Sequence, residues 1–533
     1  MNAMPVTQRT YQTHCSNCGA ITLFRAASTT HTVCSYCSST ITRSGEVLSN
    51  TGTVASVFED YSLLQIGTQG QFQGIHFTLM GRVQYEASAG RWTEWLVLLD
   101  NTADDRDIIA ILSEDNGSYV WMQPSDGLNA TQIPPAHSLS LGKIIPYLNS
   151  SYVVSAAYQA RLIAAQGECG QLPVLNVTFD YVELRNHKGQ LLTVSYHISN
   201  DIPNKIPSIY LGEAIDLSVL KLTGLKSSAS IATLSGQSFD CPNCGSPVTI
   251  LLDSSKSITC KSCNSLIDLS QGLGAQLVYA LQAEPIKPQI PLGSLTIIAG
   301  KSWQITGYQH RMTVLNQNSI DDEQEGWEEY LLYNAQLGFQ FLVNSNEGWS
   351  LVRPITGVPS LLSNGSVSYL GRIYLPAPRY SACTEFVLGE FYWPLKRNDK
   401  TFNQDFSVNQ YRLNYEQNTQ ETIWSAGQTV SAKAVIQMFN ISADQAKHFR
   451  SDITPFALTA NTLKWAVIII LILIFIVIKI KADSPKEACQ KQFNPYSTVS
   501  AEQQMQQCLA NHQQRSRSGG SYGGFYMGSG GHK

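Results

Sequence analysis

Cys15-Ser-Asn-Cys18, followed by Cys34-Ser-Tyr-Cys37, returns 226 positions later as Cys241-Pro-Asn-Cys244 and Cys260-Lys-Ser-Cys263. Both copies place fifteen residues between the inner cysteines, and a glycine follows the first pair in each. Internal repetition at a fixed distance is the signature of a duplicated structural unit. The sequence therefore predicts two copies of one cysteine module.

The duplication extends beyond the cysteines into a larger body. The displacement of 226 also relates Gly81 to Gly307, and after an insertion Trp92-Thr-Glu-Trp95 reappears as Trp327-Glu-Glu-Tyr330. A weaker sequence match aligns Gly167-Glu168 with Gly389-Glu390 and Asp180-Tyr181 with Asp405-Phe406. A chain of 533 residues is too long for a single core, so the repeat supplies the natural division.

We predict a mainly β fold built from two tandem units, each a zinc ribbon followed by a sheet or barrel-like domain. Short runs of β-branched and aromatic residues, punctuated by Gly, Asn and Asp, indicate strands at Trp95–Leu99, Ile108–Leu112, Ser118–Met122, Val174–Leu184 and Leu191–His197. Two segments favour helix, Ser155–Ala165 and Ser431–Phe439. The expected order is ribbon 1 at 10–45, β-rich copy 1 at 60–222, ribbon 2 at 236–272, β-rich copy 2 at 286–440, a transmembrane helix at 463–480, a short helical hairpin at 484–514 and a disordered Gly/Ser-rich tail at 515–533.

The two modules are predicted metal sites. Four thiolates in two CxxC pairs form an all-sulfur tetrahedral set, which zinc accepts as a closed structural site. Iron in a rubredoxin-like site remains the alternative, because the same four sulfurs hold iron. A segment of about thirty residues buries too little apolar surface to fold alone, so metal binding is expected to stabilise it. The predicted ligands of two Zn²⁺ ions are Cys15, Cys18, Cys34, Cys37, Cys241, Cys244, Cys260 and Cys263.

One segment near the C-terminus has the composition of a membrane span. Fourteen apolar residues run from Trp465 to Ile478, and the stretch 463–480 gives about 27 Å of helix, close to a hydrocarbon core of about 30 Å. No apolar signal segment precedes Arg43, so we expect the large N-terminal region to be cytoplasmic. Lys479 and Lys481 favour the opposite orientation, because positively charged residues beside a membrane span usually remain on the cytoplasmic side. In a translocated tail, Cys489 and Cys508 would form a disulfide.

The remaining chemistry is modest. A net charge of −4 argues against a broad nucleic-acid-binding surface. The chain contains no Gly-rich phosphate loop, HExxH or GxSxG motif, so we predict no catalytic residues and no enzymatic activity. Glu168 and Glu390 are best interpreted as solvated or turn-capping glutamates. Trp92/Trp95 and Trp327/Tyr330, beside Glu94 and Glu329, are core residues or, alternatively, the lining of a groove for a cationic ligand.

The body of each unit resembles a bacterial family called domain of unknown function 4178. The likeness rests on Ile66-Gly67, Gly81, Trp92-x-Glu94-Trp95 and Gly389-Glu390-Phe391-Tyr392-Trp393, and covers 60–222 and 286–440. Unit 1 departs from it at Gly167-Glu168-Cys169-Gly170, where the aromatic residues are missing. The resemblance implies a genomic association with aminopropyltransferases of the polyamine type, small membrane proteins and envelope-stress proteins. It carries over no catalytic residues.

These observations predict a single-pass protein of the bacterial inner membrane that binds protein partners at the membrane surface as a scaffold. The bilayer would be contacted through the one helix. The alternative is an enzyme, or an enzyme accessory, that binds a cationic small molecule through Glu168, Glu390 and the aromatic pairs. The two hypotheses differ in one structural feature, because only the second predicts a concave acidic site.

Overall fold

A computed structural model describes most of the chain from Tyr11 to Phe449 and two short pieces of the C-terminal region. The described ranges are 11–26, 29, 31–44, 47–53, 62–88, 90–100, 108–115, 117–125, 134–170, 172–197, 207–226, 237–252, 255–270, 277–282, 286–314, 325–334, 337–447, 449, 489–490 and 500–507.

Each cysteine module is a small antiparallel ribbon, in which a tight turn carries each CxxC pair. Ribbon 1 contains β1 (Tyr11–His14), β2 (Ile21–Phe24), β3 (His31–Val33), β4 (Ser39–Ser44) and β5 (Val47–Thr53). Ribbon 2 contains β16 (Gln237–Asp240), β17 (Pro247–Ile250), β18 (Ser257–Thr259), β19 (Leu266–Asp268) and β20 (Val278–Ala280). Strand β1 pairs with β2, and β3 pairs with β4, while β16 pairs with β17 and β18 with β19.

The body of unit 1 is a closed antiparallel barrel of eight strands, which we call barrel 1. Its strands are β7 (Ile75–Ala87), β8 (Gly90–Leu99), β9 (Ile108–Asp115), β10 (Ser118–Pro124), β15 (Ser208–Ile215), β14 (Gln190–Ser195), β13 (Thr178–Arg185) and β12 (Ser150–Cys169), and β12 pairs back onto β7. Strand β6 (Gln69–Phe72) pairs with the start of β7, and β11 (Ile144–Tyr147) pairs with the start of β12. Short 3-10 turns lie at Ala136–Ser138 and Leu217–Leu220.

The body of unit 2 repeats this architecture as barrel 2. The closed order is β22 (Lys301–Thr313), β23 (Gly326–Asn334), β24 (Gly338–Ser345), β25 (Gly348–Ile355), β31 (Thr422–Val430), β30 (Tyr411–Gln417), β29 (Lys400–Val408) and β28 (Arg372–Phe391), which pairs back onto β22. Strand β21 (Leu295–Ile298) pairs with the start of β22, β27 (Val367–Tyr369) pairs with the start of β28, and β26 (Ser360–Leu361) pairs with β27. Two helices follow, α1 (Ala432–Met438) and α2 (Ala443–Ala446).

One twenty-residue strand organises each unit. In barrel 1, β12 pairs with β13 along its first half, with β7 along its second half, and with ribbon strand β3 over its last three residues. In barrel 2, β28 pairs with β29 along its first half, with β22 along its second half, and with ribbon strand β18 at its last two residues. Each ribbon is therefore continuous with its barrel through backbone hydrogen bonds, and the C-terminal end of the long strand is the junction.

Two pairs of glycines allow the barrels to close. Gly167 lies opposite Gly81 where β12 crosses β7, and Gly389 lies opposite Gly307 at the equivalent crossing. A Cβ on Gly81 would lie 1.9 Å from the carbonyl oxygen of Glu168, and one on Gly389 would lie 2.2 Å from that of Thr306. No side chain fits between backbones this close. The duplicated glycines are thus explained by the barrel seam.

Both faces of each barrel wall are packed. Alternate residues of β8 face opposite sides, so Trp95 lies outside barrel 1 with Phe77 and Trp121, covered by Leu64 and Leu220. Around barrel 2 the cover comes partly from α1, whose Ser431 hydroxyl accepts the N–H of Ala434 as an N-cap. Val435 of α1 packs into the outer cluster that contains Tyr308, Tyr330 and Trp349.

The mainly β prediction is confirmed, and so is the helix at Ser431–Phe439. The helix predicted at Ser155–Ala165 is wrong, because these residues form the middle of strand β12. Their alanines favour a helix locally, but backbone pairing with β13 and β7 overrides that preference. Within the described ranges no helix has the length and apolarity needed to cross a membrane. The predicted span at 463–480 and the tail at 515–533 lie outside those ranges.

The predicted hairpin at 484–514 is described in part. Residues 501–507 are helical, and the hydroxyl of Ser500 accepts the backbone N–H of Gln503 at 3.4 Å, as the capping-box pattern predicts. Cys489 is disulfide-bonded, whereas Cys508 lies outside the described residues.

Candidate metal centres and the inter-barrel cleft

The eight predicted ligands come together as two four-cysteine groups. Within each group all four sulfur atoms lie within 4.8 Å of one another. Cys15 and Cys37 place their sulfurs 3.6 Å apart, and the matching distance between Cys241 and Cys263 is 3.7 Å. All eight thiols are free of disulfides. A tetrahedron with metal–sulfur bonds of about 2.3 Å has edges of about 3.8 Å, so both groups have the spacing of a four-sulfur metal site.

In each ribbon, the geometry of the first knuckle follows from the glycine after the first CxxC pair. Gly19 and Gly245 adopt φ of +75° and +72°, and their N–H groups bond back to the carbonyl oxygens of Cys15 and Cys241 at 2.9 Å. This left-handed residue closes the knuckle and turns backbone N–H groups toward the sulfurs, as at Asn17, whose N–H lies 3.4 Å from the sulfur of Cys15. Both ribbons thus form the same ligand cradle.

The thiols of each group differ in acidity. The Ser39 hydroxyl, 3.2 Å from the sulfur, lowers the pKa of Cys37 to about 5, and Ser265 lowers the pKa of Cys263 to about 6. Burial raises the pKa of Cys241 to about 11. Four adjacent thiols cannot all ionise unless a cation neutralises them, and a bound divalent metal would release the retained protons. The donor set is complete, so such a metal would have no open position.

Glu168 and Glu390 are buried, so their interpretation as solvated side chains is wrong, whereas the alternative capping role agrees with the backbone N–H groups that their carboxylates accept. Glu390 is 5% exposed, and its carboxylate accepts the N–H groups of Leu251 and Leu252 at 2.9–3.0 Å and the hydroxyl of Ser255 at 2.9 Å. Glu168 is 2% exposed and accepts the N–H of Ala26 at 3.1 Å. Burial raises the pKa of both carboxyls. Each glutamate anchors a ribbon to the end of its barrel's long strand.

The aromatic pairs divide between the two faces of the barrel wall. Trp95 and Tyr330 are fully buried outer-core residues, as the simpler interpretation predicts. Trp92 instead faces inward and contacts Tyr158 and Tyr181, with ring centroids 5.9 and 5.3 Å apart. Its indole N–H donates to Glu94 at 3.2 Å. Of the two aromatic positions in each pair, only the inward-facing one, Trp92 in barrel 1, is therefore placed to line a groove for a cationic ligand.

The same inward constellation occurs in barrel 2. The indole of Trp327 donates to Glu329 at 2.6 Å, and the rings of Trp327 and Tyr380 lie 5.8 Å apart. Tyr158 donates to Glu183 at 3.0 Å, and Tyr380 donates to Asp405 at 2.9 Å. These tyrosine–carboxylate pairs are both 25 residues apart and displaced by 222, which is also the displacement of Glu168 and Glu390. Asp405 therefore corresponds to Glu183, and the weak match between Asp180 and Asp405 was wrong by three residues.

The two barrel mouths open into one cleft of about 930 Å³. Residues of both barrels line it, among them Trp92, Tyr158, Glu183 and Arg185 from barrel 1 and Arg311, Glu329, Asp405, Glu416 and Glu421 from barrel 2. Glu168 and Glu390 are not among the lining residues, so this concave acidic site is built from carboxylates other than the two suggested by the sequence. The cleft was missed in the sequence because its residues come from strands distributed over more than 300 positions.

Comparison with known proteins identifies the duplicated body. A family model described as Domain of unknown function (DUF4178) matches residues 65–217 and again 291–432, together more than half of the chain. The chain belongs to the DUF4178 family. The two DUF4178 matches coincide with barrel 1 and barrel 2, and each is preceded by a four-cysteine ribbon. No curated protein and no solved structure matches the chain.

Proposed function

We propose that this DUF4178 protein is a non-catalytic zinc-binding scaffold that presents its two barrels to protein partners. The observation that carries the proposal is the closed donor set of each cysteine group, with sulfur–sulfur distances of 3.6–3.7 Å. A metal with four protein ligands has no position for substrate or water, so its role is structural. Zinc suits four thiolates and a site without redox partners better than iron does.

The proposed structural role of zinc is supported by what each ribbon contacts. Ribbon 2 is bonded to barrel 2 through Glu390, and its buried Lys256 forms an ion pair with Glu86 of barrel 1 at 2.6 Å. Zinc at the cysteines of ribbon 2 would therefore hold together a segment that contacts both barrels. Loss of that zinc is expected to disturb the relative placement of the barrels as well as the ribbon itself.

We further propose that the apolar segment 463–480 tethers the scaffold to the bacterial inner membrane, with the ribbons and barrels in the cytoplasm. This part of the proposal rests on the sequence alone, on the length and apolarity of the segment. Envelope stress and polyamine-type metabolism are processes in which such a scaffold would act, by the resemblance noted above.

The experiment compares the full-length chain, purified in detergent, with a Cys241→Ser/Cys244→Ser variant. We expect two zinc ions per wild-type chain and one per variant chain, measured by elemental analysis. Proteins co-purifying with the wild type from bacterial membranes should be reduced with the variant. Iron in place of zinc, or equal recovery of partners with both chains, would refute the corresponding part of the proposal.

A further inference from the structure

A hairpin of barrel 2 pairs with barrel 1 beside the cleft. The turn between β30 and β31 places the carbonyl of Gln420 2.9 Å from the N–H of Ala157, and Glu421 forms a bridge with Ala156. Ala156 and Ala157 pair with β13 on one edge of β12, while the other edge pairs with β11 up to Val153 and with β7 only from Leu162, so it is open to the hairpin. The hairpin thus brings Glu421 of barrel 2 close to Glu183 of barrel 1.

The interior of the cleft is acidic, although its total charge is nearly balanced. Of the six basic residues that line it, Arg91 and Arg412 pair with Glu86 and Glu347, two carboxylates outside the lining. Lys396 and Lys400 are exposed at the rim. The two remaining guanidiniums lie among five buried or half-buried carboxylates, which are Glu183, Glu329, Asp405, Glu416 and Glu421.

The electrostatic cost of this arrangement is concentrated where the barrels meet. Burial raises the pKa of Glu421, and the nearby carboxylates of Glu183 and Glu416 raise it further, against the lowering effects of Asn418 and Arg185. A cation placed between Glu183 and Glu421 would relieve this repulsion. The faces of Trp92 and Tyr158 beside Glu183 add a surface for cation–π contact.

The cleft also contains N–H donors that meet no acceptor among the described residues. Arg311 is 4% exposed and lines the cleft, and its terminal nitrogens are bonded to Glu416 and Thr401, whereas its Nε–H has no partner in the described part of the chain. The same holds within the described ranges for the buried Nε–H of Arg185, on the barrel 1 side. A buried N–H group needs an acceptor, and in a cleft a carbonyl oxygen of a ligand can supply one. A ligand that fits both observations has a cationic group and carbonyl oxygens.

We propose that the inter-barrel cleft binds a lysine or arginine side chain of a partner polypeptide, with the neighbouring peptide carbonyls accepting from Arg311 and Arg185. The proposal rests on the scaffold function above and names the chemistry of its partner. A volume of about 930 Å³ accommodates one such side chain with its flanking backbone. The duplication retained the Trp–carboxylate and Tyr–carboxylate pairs in both barrels, but only the barrel 1 rings, Trp92 and Tyr158, line the cleft. In barrel 2 the guanidinium of Arg311 lies over the equivalent Trp327, 5.5 Å from the ring centroid.

The test measures binding of three capped tripeptides to the full-length, zinc-loaded chain by calorimetry and tryptophan fluorescence. The peptides are acetyl-Gly-Lys-Gly-amide, its isosteric norleucine analogue without the charge, and the glutamate analogue. We expect the lysine peptide to bind at least about tenfold more tightly than the norleucine peptide. Glu183→Gln and Glu421→Gln should each weaken lysine-peptide binding severalfold, whereas Glu213→Gln, which changes a carboxylate outside the cleft, should leave it unchanged.

Equal binding of lysine and norleucine peptides, tighter binding of the glutamate peptide, or no binding at millimolar concentration would overturn the proposal. Free butylamine that binds as tightly as the lysine peptide would overturn the polypeptide assignment and favour a small-molecule cation. Zinc content and thermal unfolding of each variant are measured on the same samples. Two zinc ions per chain without peptide binding would therefore refute the cleft proposal while leaving the zinc scaffold intact.

Discussion

The ammonium group of Lys256 lies 2.6 Å from Oε1 of Glu86, which joins ribbon 2 of the second unit to barrel 1 of the first. Lys256 is 3% exposed, and Glu86 also pairs with Arg91 and Arg161 at 2.8 and 2.6 Å. The same part of ribbon 2 is bonded to barrel 2, because the hydroxyl of Ser255 donates to Glu390. Ribbon 2 is therefore a link between the barrels as well as a metal module.

We expect Lys256→Met to destabilise the chain by about 1–3 kcal/mol, because it leaves the buried Glu86 carboxylate with only its two arginine partners. The free energy of unfolding is measured by denaturant titration of the full chain. Lys188→Met, which removes an exposed lysine in a turn of barrel 1, is the matched control and should change stability by less than about 0.5 kcal/mol. Equal effects of the two substitutions would contradict the link.

The ion pair between Lys256 and Glu86 also predicts that the free energy of unfolding depends on pH. Burial tends to raise the pKa of Glu86, but Lys256 and the two arginines overcome this and lower it from 4.5 to about 2. Because the folded pKa lies below the unfolded value, the stabilisation is fully present above pH 4.5 and is lost as the pH falls toward 2. The difference in unfolding free energy between the wild type and Glu86→Gln should therefore shrink between pH 5 and pH 2. A constant difference over that range would exclude an ionised Glu86 as its source.

The glutamate anchors predict unequal effects in the two units. Glu390→Gln removes one of two carboxylate oxygens that together accept three donors, and it places an amide N–H₂ against those donors. We expect a loss of about 1–3 kcal/mol and faster release of zinc from ribbon 2 to a chelator. Glu168→Gln should have the smaller effect, since among the described residues its carboxylate meets the backbone N–H groups of Ala26 and Arg25 but no hydroxyl donor. Glu385→Gln, at a half-exposed carboxylate, serves as the control.

The close approach of β22 and β28 predicts that one added methyl group at Gly307 strongly destabilises barrel 2. A Cβ on Gly307 would lie 2.8 Å from the carbonyl oxygen of Glu390 and 2.7 Å from the ring of Phe391, so Gly307→Ala should cost about 3 kcal/mol or more. Gly170→Ala adds the same methyl group where the nearest atom is 3.8 Å away, and it should be nearly neutral. Thermal unfolding of both variants checks this, and a stable Gly307→Ala variant would mean that β22 and β28 do not cross as described.

The metal modules and the duplication were predictable because their information is local. CxxC spacing and a following glycine specify a knuckle without reference to the rest of the chain, and the structure brings all eight cysteines together as expected. Strand segments were also predictable, since β-branched and aromatic runs between turn residues reflect local preferences. The segment Ser155–Ala165 failed because its alanines carry no local strand signal, and pairing on both sides decides its conformation.

The cleft could not be predicted, because it depends on which strands close each barrel and how the barrels meet. Glu183 and Glu421 are 238 residues apart and become neighbours only through the hairpin that bonds to Ala157. The solvated interpretation of Glu168 and Glu390 failed for a related reason. A glutamate after a glycine is usually solvated, and only the pairing of the long strand with the ribbon shows that its carboxylate meets backbone N–H groups.

Glu94 gives a prediction of the opposite sign to Glu86. It is buried inside barrel 1, where desolvation raises its pKa from 4.5 to about 7 despite the hydrogen bond from Trp92, and where Glu183 adds repulsion. A raised carboxyl pKa means that stability is fully present below pH 4.5 and is lost as the pH rises through 7. Glu94→Gln keeps the acceptor for Trp92 and removes the charge, so it should stabilise the chain at pH 8 by about 1–3 kcal/mol. At pH 4 the two proteins should unfold at similar denaturant concentrations. A variant that is less stable at pH 8 would show that the ionised carboxylate has a stabilising partner inside barrel 1.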